Sequence, residues 1–206
     1  MLANKKPTAA PENPAVQDAC DGLAQLKVTN GSTPRALFSA DLVSEEVRQL
    51  LPTNYTIRPL NESDYAKGFL DCLAQLTVVG DVSVELFKET FEAMLQQKSN
   101  YVVVIEDLDR SQVVAAGTLV LERKFIRGCG KIGHIEDIVV SSTERGKRLG
   151  IHMIQQLKHI AREIGCYKVI LNCAEKNIAF YEKCGLVVKD VQMTEYFTPS
   201  VPKTSL

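Results

Sequence analysis

The stretch Gly133-His-Ile-Glu-Asp-Ile-Val-Val-Ser-Ser-Thr-Glu-Arg-Gly-Lys-Arg-Leu-Gly150 decides how the rest of the chain is read. An apolar run bearing Glu136 and Asp137 passes through a polar turn into the basic, glycine-marked start of a helix. The first turn of a helix leaves backbone N–H groups without partners and carries the positive end of the helix dipole, which suits an anion. Gly146 lets the main chain approach such a ligand, and Arg145, Lys147 and Arg148 add fixed positive charge. A phosphate-rich cofactor, with its reacting end carried along the preceding strand, fits this order of parts.

Working outward, Tyr55 to Arg58 reads as a strand, and Tyr65, Phe69, Leu73 and Leu76 recur at helical spacing. Val84, Phe87, Phe91, Met94 and Leu95 form the stripe of a second helix, with Ser83 as N-cap and Glu85 in the first turn. Tyr101 to Ile105 and Val113 to Leu121 are β-rich runs, and Asp107-Leu-Asp-Arg-Ser-Gln112 between them reads as a hairpin loop. After the strand Gly133 to Val140, a helix repeats apolar residues at Leu149, Met153, Leu157, Ile160 and Ile164 and stops at Gly165. Tyr167 to Leu171 follows as a short buried strand, Lys176 to Cys184 as a helix ended by Gly185, and Leu186 to Met193 as a last strand. The order is βααβββαβαβ. Early hairpins and late βαβ crossovers predict an α/β (α+β) domain, with a mixed, mostly antiparallel central sheet flanked by helices.

The length of 206 residues and the 45% hydrophobic content suit one well-buried domain, placed at 53–197. Residues 1–35, rich in Pro, Asn, Ala and Thr, read as a disordered tail, and 198–206 as a flexible C-terminus ending in Thr-Ser-Leu. Between tail and domain, 36–52 reads as a short docking helix with Leu42, Val43, Val47, Leu50 and Leu51 around Ser44 and Glu45; its partner surface stays open. The 24 Lys plus Arg nearly cancel the 25 Asp plus Glu, so no global basic field argues for nucleic acid or an anionic membrane. Six cysteines without CxxC pairs or His spacing argue against zinc and a disulfide scaffold, and for reduced thiols in a cytoplasmic protein. The N-terminus lacks an export signal's apolar region, and no stretch approaches a membrane span.

That element order, with Arg145-Gly-Lys-Arg-Leu-Gly150 opening the central helix, resembles the GNAT acetyltransferase superfamily, whose pyrophosphate loop runs Arg/Gln-x-x-Gly-x-Gly/Ala. Gly150 fits the last position, whereas Arg148 stands where the first glycine is expected. More specific is an ordered set: Leu76-Thr-Val-Val-Gly80, Glu122-Arg-Lys-Phe-Ile-Arg127, Gly133-His-Ile-Glu-Asp-Ile138, Gly165-Cys-Tyr-Lys168 and Glu175-Lys-Asn-Ile-Ala-Phe-Tyr-Glu-Lys-Cys-Gly185. Together they resemble the glucosamine 6-phosphate N-acetyltransferases from about Leu51 to Met193. The resemblance implies acetyl-CoA as cosubstrate without a metal, and acetylation of the amine of glucosamine 6-phosphate on the route to UDP-N-acetylglucosamine. It further implies a homodimer with sites near the subunit interface.

Acetyl transfer to an amine needs a neutral nitrogen, an aligned thioester, stabilisation of the developing oxyanion and a proton for the departing thiolate. The resemblance lays the main chain of Ile138, Val139 and Val140 along the pantetheine arm and thioester. It puts the pyrophosphate on Arg145, Gly146, Lys147, Arg148, Leu149, Gly150 and Ile151, and adds Asn177 and Lys183 to the cofactor set. Tyr181 falls where the family keeps a tyrosine near the CoA sulfur, as proton donor; an amphipathic core tyrosine is its plainer reading. Glu136 and Asp137 are implied at the hexosamine site, though a salt bridge is the alternative, and strand alternation sends their side chains to opposite faces. Thr77, Lys124, Phe125, Ile126, Arg127, Ile138, Tyr167, Lys168 and Asn172 match positions that grip the sugar phosphate and hydroxyls.

The pattern departs from the family twice. Asn172 replaces an acidic residue proposed to take the amine proton, and Tyr196 replaces an arginine that some members send across the dimer. The competing readings are a GNAT acting on a protein or peptide amine and a non-catalytic acetyl-CoA-binding protein.

Overall fold

Val102 to Ile105 and Val113 to Ala116 are buried at every position, because both faces of the sheet they build are covered. The computed structural model describes residues 35–197; most of the expected N-terminal tail and all of the 198–206 tail fall outside the described residues. The sheet has five strands in the order β1-β2-β3-β4-β5: Tyr55–Pro59, Asn100–Asp107, Gln112–Arg123, Lys131–Val140 and Cys166–Ile170. The first three pairings are antiparallel and β4 to β5 is parallel. The mixed, mostly antiparallel sheet expected from the sequence is therefore present.

Helix α1 (Glu45–Leu50) precedes the sheet, and α2 (Phe69–Leu73) and α3 (Val84–Gln97) follow β1. A short turn α4 (Ile126–Cys129) joins β3 to β4, and helices α5 (Leu149–Glu163) and α6 (Ile178–Lys183) flank β5. One face of the sheet packs on α5 through Leu149, Met153, Leu157 and Ile160; the other packs on α2 and α3 through Phe69, Phe87 and Phe91. The helical stripe expected from Tyr65 to Leu76 is broken in two. Glu62–Lys67 is a 3-10 turn, and Gly68, at φ 74, redirects the chain into α2. Beneath this junction fully buried Asp64 takes a two-point ion pair from Arg58, at 2.7 and 2.8 Å, and Glu106 closes the network with Arg58 and Lys67.

The 36–52 leader docks on its own chain. Val43, Val47 and Leu51 enter the core beside α5, and Ser44 caps α1 by accepting from Val47 N–H. Gln156, fully buried on α5, accepts from Ser44 N–H at 2.9 Å and donates to Leu42 C=O at 2.8 Å. Gln156→Leu keeps the volume but strands both main-chain groups, so a loss of about 2–4 kcal/mol is expected. An unchanged urea midpoint would show that the latch contributes nothing.

Two strand expectations need correction. β5 is not buried: Tyr167, Lys168 and Ile170 are exposed, because β5 is the sheet edge and no strand lies beyond it among the described residues. Leu186 to Met193 is no strand here. From Leu186 to Phe197 the chain carries no regular structure, and Val187, Val191 and Met193 are 81%, 91% and 94% exposed. A lone strand has no ladder to complete, so its apolar alternation finds no face to bury in this single chain.

Candidate active site

The β4–β5 ladder ends at His134 and Ile170. Beyond that pair the two strands have no ladder, so alternate backbone groups of β4 from Ile135 to Val140 face a gap instead of a neighbour. A bulge lies within this stretch. Ala116 pairs with Val139 and Thr118 with Glu136, leaving Asp137 and Ile138 opposite the single residue Gly117. Asp137 takes the left-handed conformation, φ 53, which Asp tolerates better than most residues. Asp137 is the extra, exposed residue of the bulge, and Glu136 keeps the face away from α5.

The gap opens into a cleft of about 460 Å³. One wall is Ile138, Val139 and Val140 of β4, and the facing wall is Asn177, Phe180 and Tyr181 at the start of α6. Its far end is Arg145, Gly146, Arg148, Leu149, Gly150 and Ile151, the entry to α5. No side chain caps α5, and the first intrahelical bonds run from Ile151 and His152 to Arg148 C=O, so the amides before them are unclaimed. Gly146 and Arg148 are both left-handed, φ 84 and 61. Left-handed geometry explains why the family pattern has glycine where this chain has Arg148, which accepts backbone strain and brings a cation to the helix N-terminus. Gly150 packs closely: a Cβ there would stand 3.3 Å from the Phe180 ring, which would have to give by a few tenths of an ångström.

Tyr181 is half-buried, edge-on to Phe180 at 5.0 Å. Burial raises its pKa above the ordinary phenol value, and neighbouring Cys173, Cys184 and Glu136 add to the shift, so the hydroxyl stays protonated at neutral pH. Asn177 occupies the N-cap position of α6 but makes no capping bond; its amide is left free at the cleft wall. Gln75 and Leu76 close the cleft just after α2; neither is among the expected site residues, although Leu76 heads one of the motifs that carry the resemblance. Gln75 accepts from Ser142 N–H at 2.7 Å and donates to Ser141 Oγ at 3.3 Å, contacts spanning over sixty residues that no local pattern announces. Lys147 and Lys183 do not line the cleft. Lys147 turns to Glu144 and Tyr55, and Lys183 is exposed on α6.

Of the expected sugar residues Ile138 lines the cleft; most of the others lie along β4 and β5 and in the α4 turn. Gly133 abuts Ala161 of α5, so alternation aims His134 and Glu136 at the opposite face, where both are half-exposed. Glu122 accepts from Lys124 Nζ and lies 2.8 Å from His134 Nε2. In α4 Arg127, Gly128 and Cys129 form a left-handed run, with the Arg127 guanidinium 6.0 Å over the Tyr167 ring. Phe125, 98% exposed, and Ile126 project from this turn, and Lys168 and Asn172 are exposed along β5 and after it. Thr77 is exposed and lies outside the cleft. The structure thus gathers the cofactor set, apart from Lys147 and Lys183, into one cleft and leaves the sugar set, apart from Ile138, outside it.

A bulged strand parting from its parallel neighbour, with an uncapped, cation-flanked helix start at the mouth, is the arrangement that the resemblance to the acetyl-CoA-using acyltransferases implies. Residues 62–186 match the acetyltransferase (GNAT) family, and the chain belongs to it. It is 46% identical over 149 residues to glucosamine 6-phosphate N-acetyltransferase 1 of Dictyostelium discoideum, covering 72% of this chain and 94% of the relative. The enzyme named glucosamine 6-phosphate N-acetyltransferase in Candida albicans is 43% identical over 144 residues, 70% of this chain and 97% of that one. Among solved structures, glucosamine-6-phosphate N-acetyltransferase of Arabidopsis thaliana superposes with a TM-score of 0.69 at 45% identity, covering 70% of this chain and 99% of that chain.

Proposed function

We propose that the chain transfers the acetyl group of acetyl-CoA to the amine of glucosamine 6-phosphate, giving N-acetylglucosamine 6-phosphate and CoA, a step toward UDP-N-acetylglucosamine. The observation that carries this reading is the cleft itself, whose three walls match a thioester with a long arm and a pyrophosphate, in a chain whose relatives bear that activity in their names. Acetyl-CoA supplies the activated acyl carbon. The unpaired edge of β4 at the Asp137 bulge directs main-chain amides at the carbonyl oxygen as charge develops. Arg145, Arg148 and the first amides of α5 hold the pyrophosphate. Tyr181 gives its proton toward the leaving sulfur.

The amino sugar sits over the open end of the sheet. Glu136 accepts hydrogen bonds from its hydroxyls or amine, and Lys168, Arg127 and Lys124 supply positive charge for the phosphate. Asn172 has no basic lone pair, so the amine attacks in its neutral form and Glu136 or water takes the proton that its nitrogen loses on acylation. The protein acts as a homodimer in a reducing compartment. Supporting this are the apolar but unburied 186–197 segment, the exposed β5 edge and the free thiols of Cys72, Cys129, Cys166, Cys173 and Cys184.

The test is CoA release with glucosamine 6-phosphate, glucosamine and a lysine peptide as acceptors. The phosphosugar is expected to be preferred over glucosamine by about two orders of magnitude in kcat/KM, because charge-assisted phosphate contacts have no counterpart in the other acceptor. Lys168→Ala is expected to raise KM for the phosphosugar about tenfold and leave that for acetyl-CoA unchanged. Equal use of glucosamine, or preference for the peptide, overturns the substrate.

A further inference from the structure

The loop that receives the cofactor's phosphates begins with a buried negative charge. Glu144 is 3% exposed, yet it belongs to the lining of the cleft beside Arg145 and Gly146. Oε2 accepts from Tyr55 Oη–H at 2.6 Å and from Lys147 Nζ at 2.6 Å; Oε1 accepts from Arg110 Nη2 at 2.5 Å and Thr143 Oγ1–H at 3.1 Å. Both oxygens are saturated. The Lys147 and Tyr55 hydrogen bonds, joined by those from Arg110 and Thr143, hold the carboxyl pKa down to about 2 despite its burial, so it is ionised at every working pH. A fixed anion at the lip of an anion site costs attraction for the ligand, and an apolar residue could have filled the space without that cost. The charge therefore has another purpose.

Its partners show what that purpose is. Tyr55 begins β1, and Arg110 lies in the β2–β3 turn, where it is anchored in addition by Asp107 at 2.8 Å. Lys147 sits inside the loop between two left-handed residues, Gly146 and Arg148. Its ammonium also lies 2.7 Å from Tyr55 Oη and 5.3 Å from the centre of that ring. Backbone held in sparsely populated conformations persists only where its surroundings over-determine it. We propose that Glu144 is a positioning residue: tied to β1 and the β2–β3 turn, it draws Lys147 back and so holds the Arg145–Arg148 loop in its anion-receiving shape. Lys147 then serves the carboxylate, and the phosphates fall to Arg145, Arg148 and the α5 amides.

This rests on the acetyl-CoA reading, and the sign of one substitution tests it. Glu144→Gln removes a negative charge and frees a positive one beside the site, so charge counting alone has CoA bind more tightly. Positioning requires the opposite: the calorimetric Kd for CoA and the KM for acetyl-CoA are expected to rise about tenfold. S-acetylpantetheine, a thioester without nucleotide or pyrophosphate, should keep its kcat/KM within about twofold, a selectivity that general destabilisation does not produce. Lys147→Met should match Glu144→Gln, and the double variant should add nothing, as expected for two halves of one device. Tyr55→Phe, which keeps the ring in place, should move the same ratio in the same direction by a smaller factor even where Glu144→Gln does not fold. Unchanged or tighter CoA binding, equal loss on both thioesters, or additive losses in the double variant overturn the proposal. A wild type that binds CoA with no turnover on any amine defeats the acetyl-transfer reading instead, while the binding arm still decides the role of Glu144.

Discussion

Tyr181→Phe is expected to lower turnover about 100-fold while leaving the KM for acetyl-CoA within about twofold. The ring packs edge-on against Phe180, and phenylalanine preserves that contact, so only the hydroxyl is lost. An isolated phenol near pKa ~10 is a weaker acid than a thiol near ~8.5, so in water the proton transfer would run uphill. Within the cleft the same desolvation that raises Tyr181 raises a thiol lodged beside it, as it does for nearby Cys184, and the mismatch narrows. A hydrogen bond to the developing thiolate lowers the barrier even before transfer is complete. Rapid-quench single turnover is the measurement, since it isolates acetyl transfer from product release. A phenylalanine variant as fast as wild type in that experiment removes the proton-donor role and leaves Tyr181 as a wall of the cleft.

Much of this architecture can be read directly from local periodicity. The stripe from Leu149 to Ile160 defines a face of α5 that is buried as expected, and Gly165 and Gly185 end their helices in left-handed geometry. Arg148 stood out in the sequence as a departure, and its backbone shows what the departure entails. What escaped was non-local or off-period. Gln75 and Glu144 look like solvated turn residues, because their partners lie dozens of residues away. A bulge is one residue out of step with alternation, so the extra residue Asp137 and its left-handed backbone leave no mark in the apolar pattern. The 186–193 run has the composition of a strand and no neighbour to pair with, a case in which the pattern reports a propensity that one chain does not satisfy.

The bulge also permits the sharpest separation of fold from chemistry. Deleting Asp137 leaves Val139 opposite Ala116 and Glu136 opposite Thr118, and brings Ile138 alone opposite Gly117. Every side chain keeps its face: Ile138 remains against Gly117 and Met153 on the α5 side, and Glu136 on the other. The deletion also removes a left-handed aspartate worth about 1 kcal/mol of strain. The protein is therefore expected to fold with unchanged or slightly raised thermal stability. Its amides along the β4 edge, however, fall back into regular alternation and no longer converge on the acyl oxygen. Loss of such a donor costs about 100- to 1,000-fold in kcat. Asp137→Gly supplies the control, because glycine holds the left-handed turn without the carboxylate and should retain activity within about tenfold of wild type. A folded deletion variant that still transfers acetyl groups at near the normal rate would show that the bulge is a feature of the sheet alone. An inactive glycine variant would return the role to the Asp137 side chain and take it from the main chain.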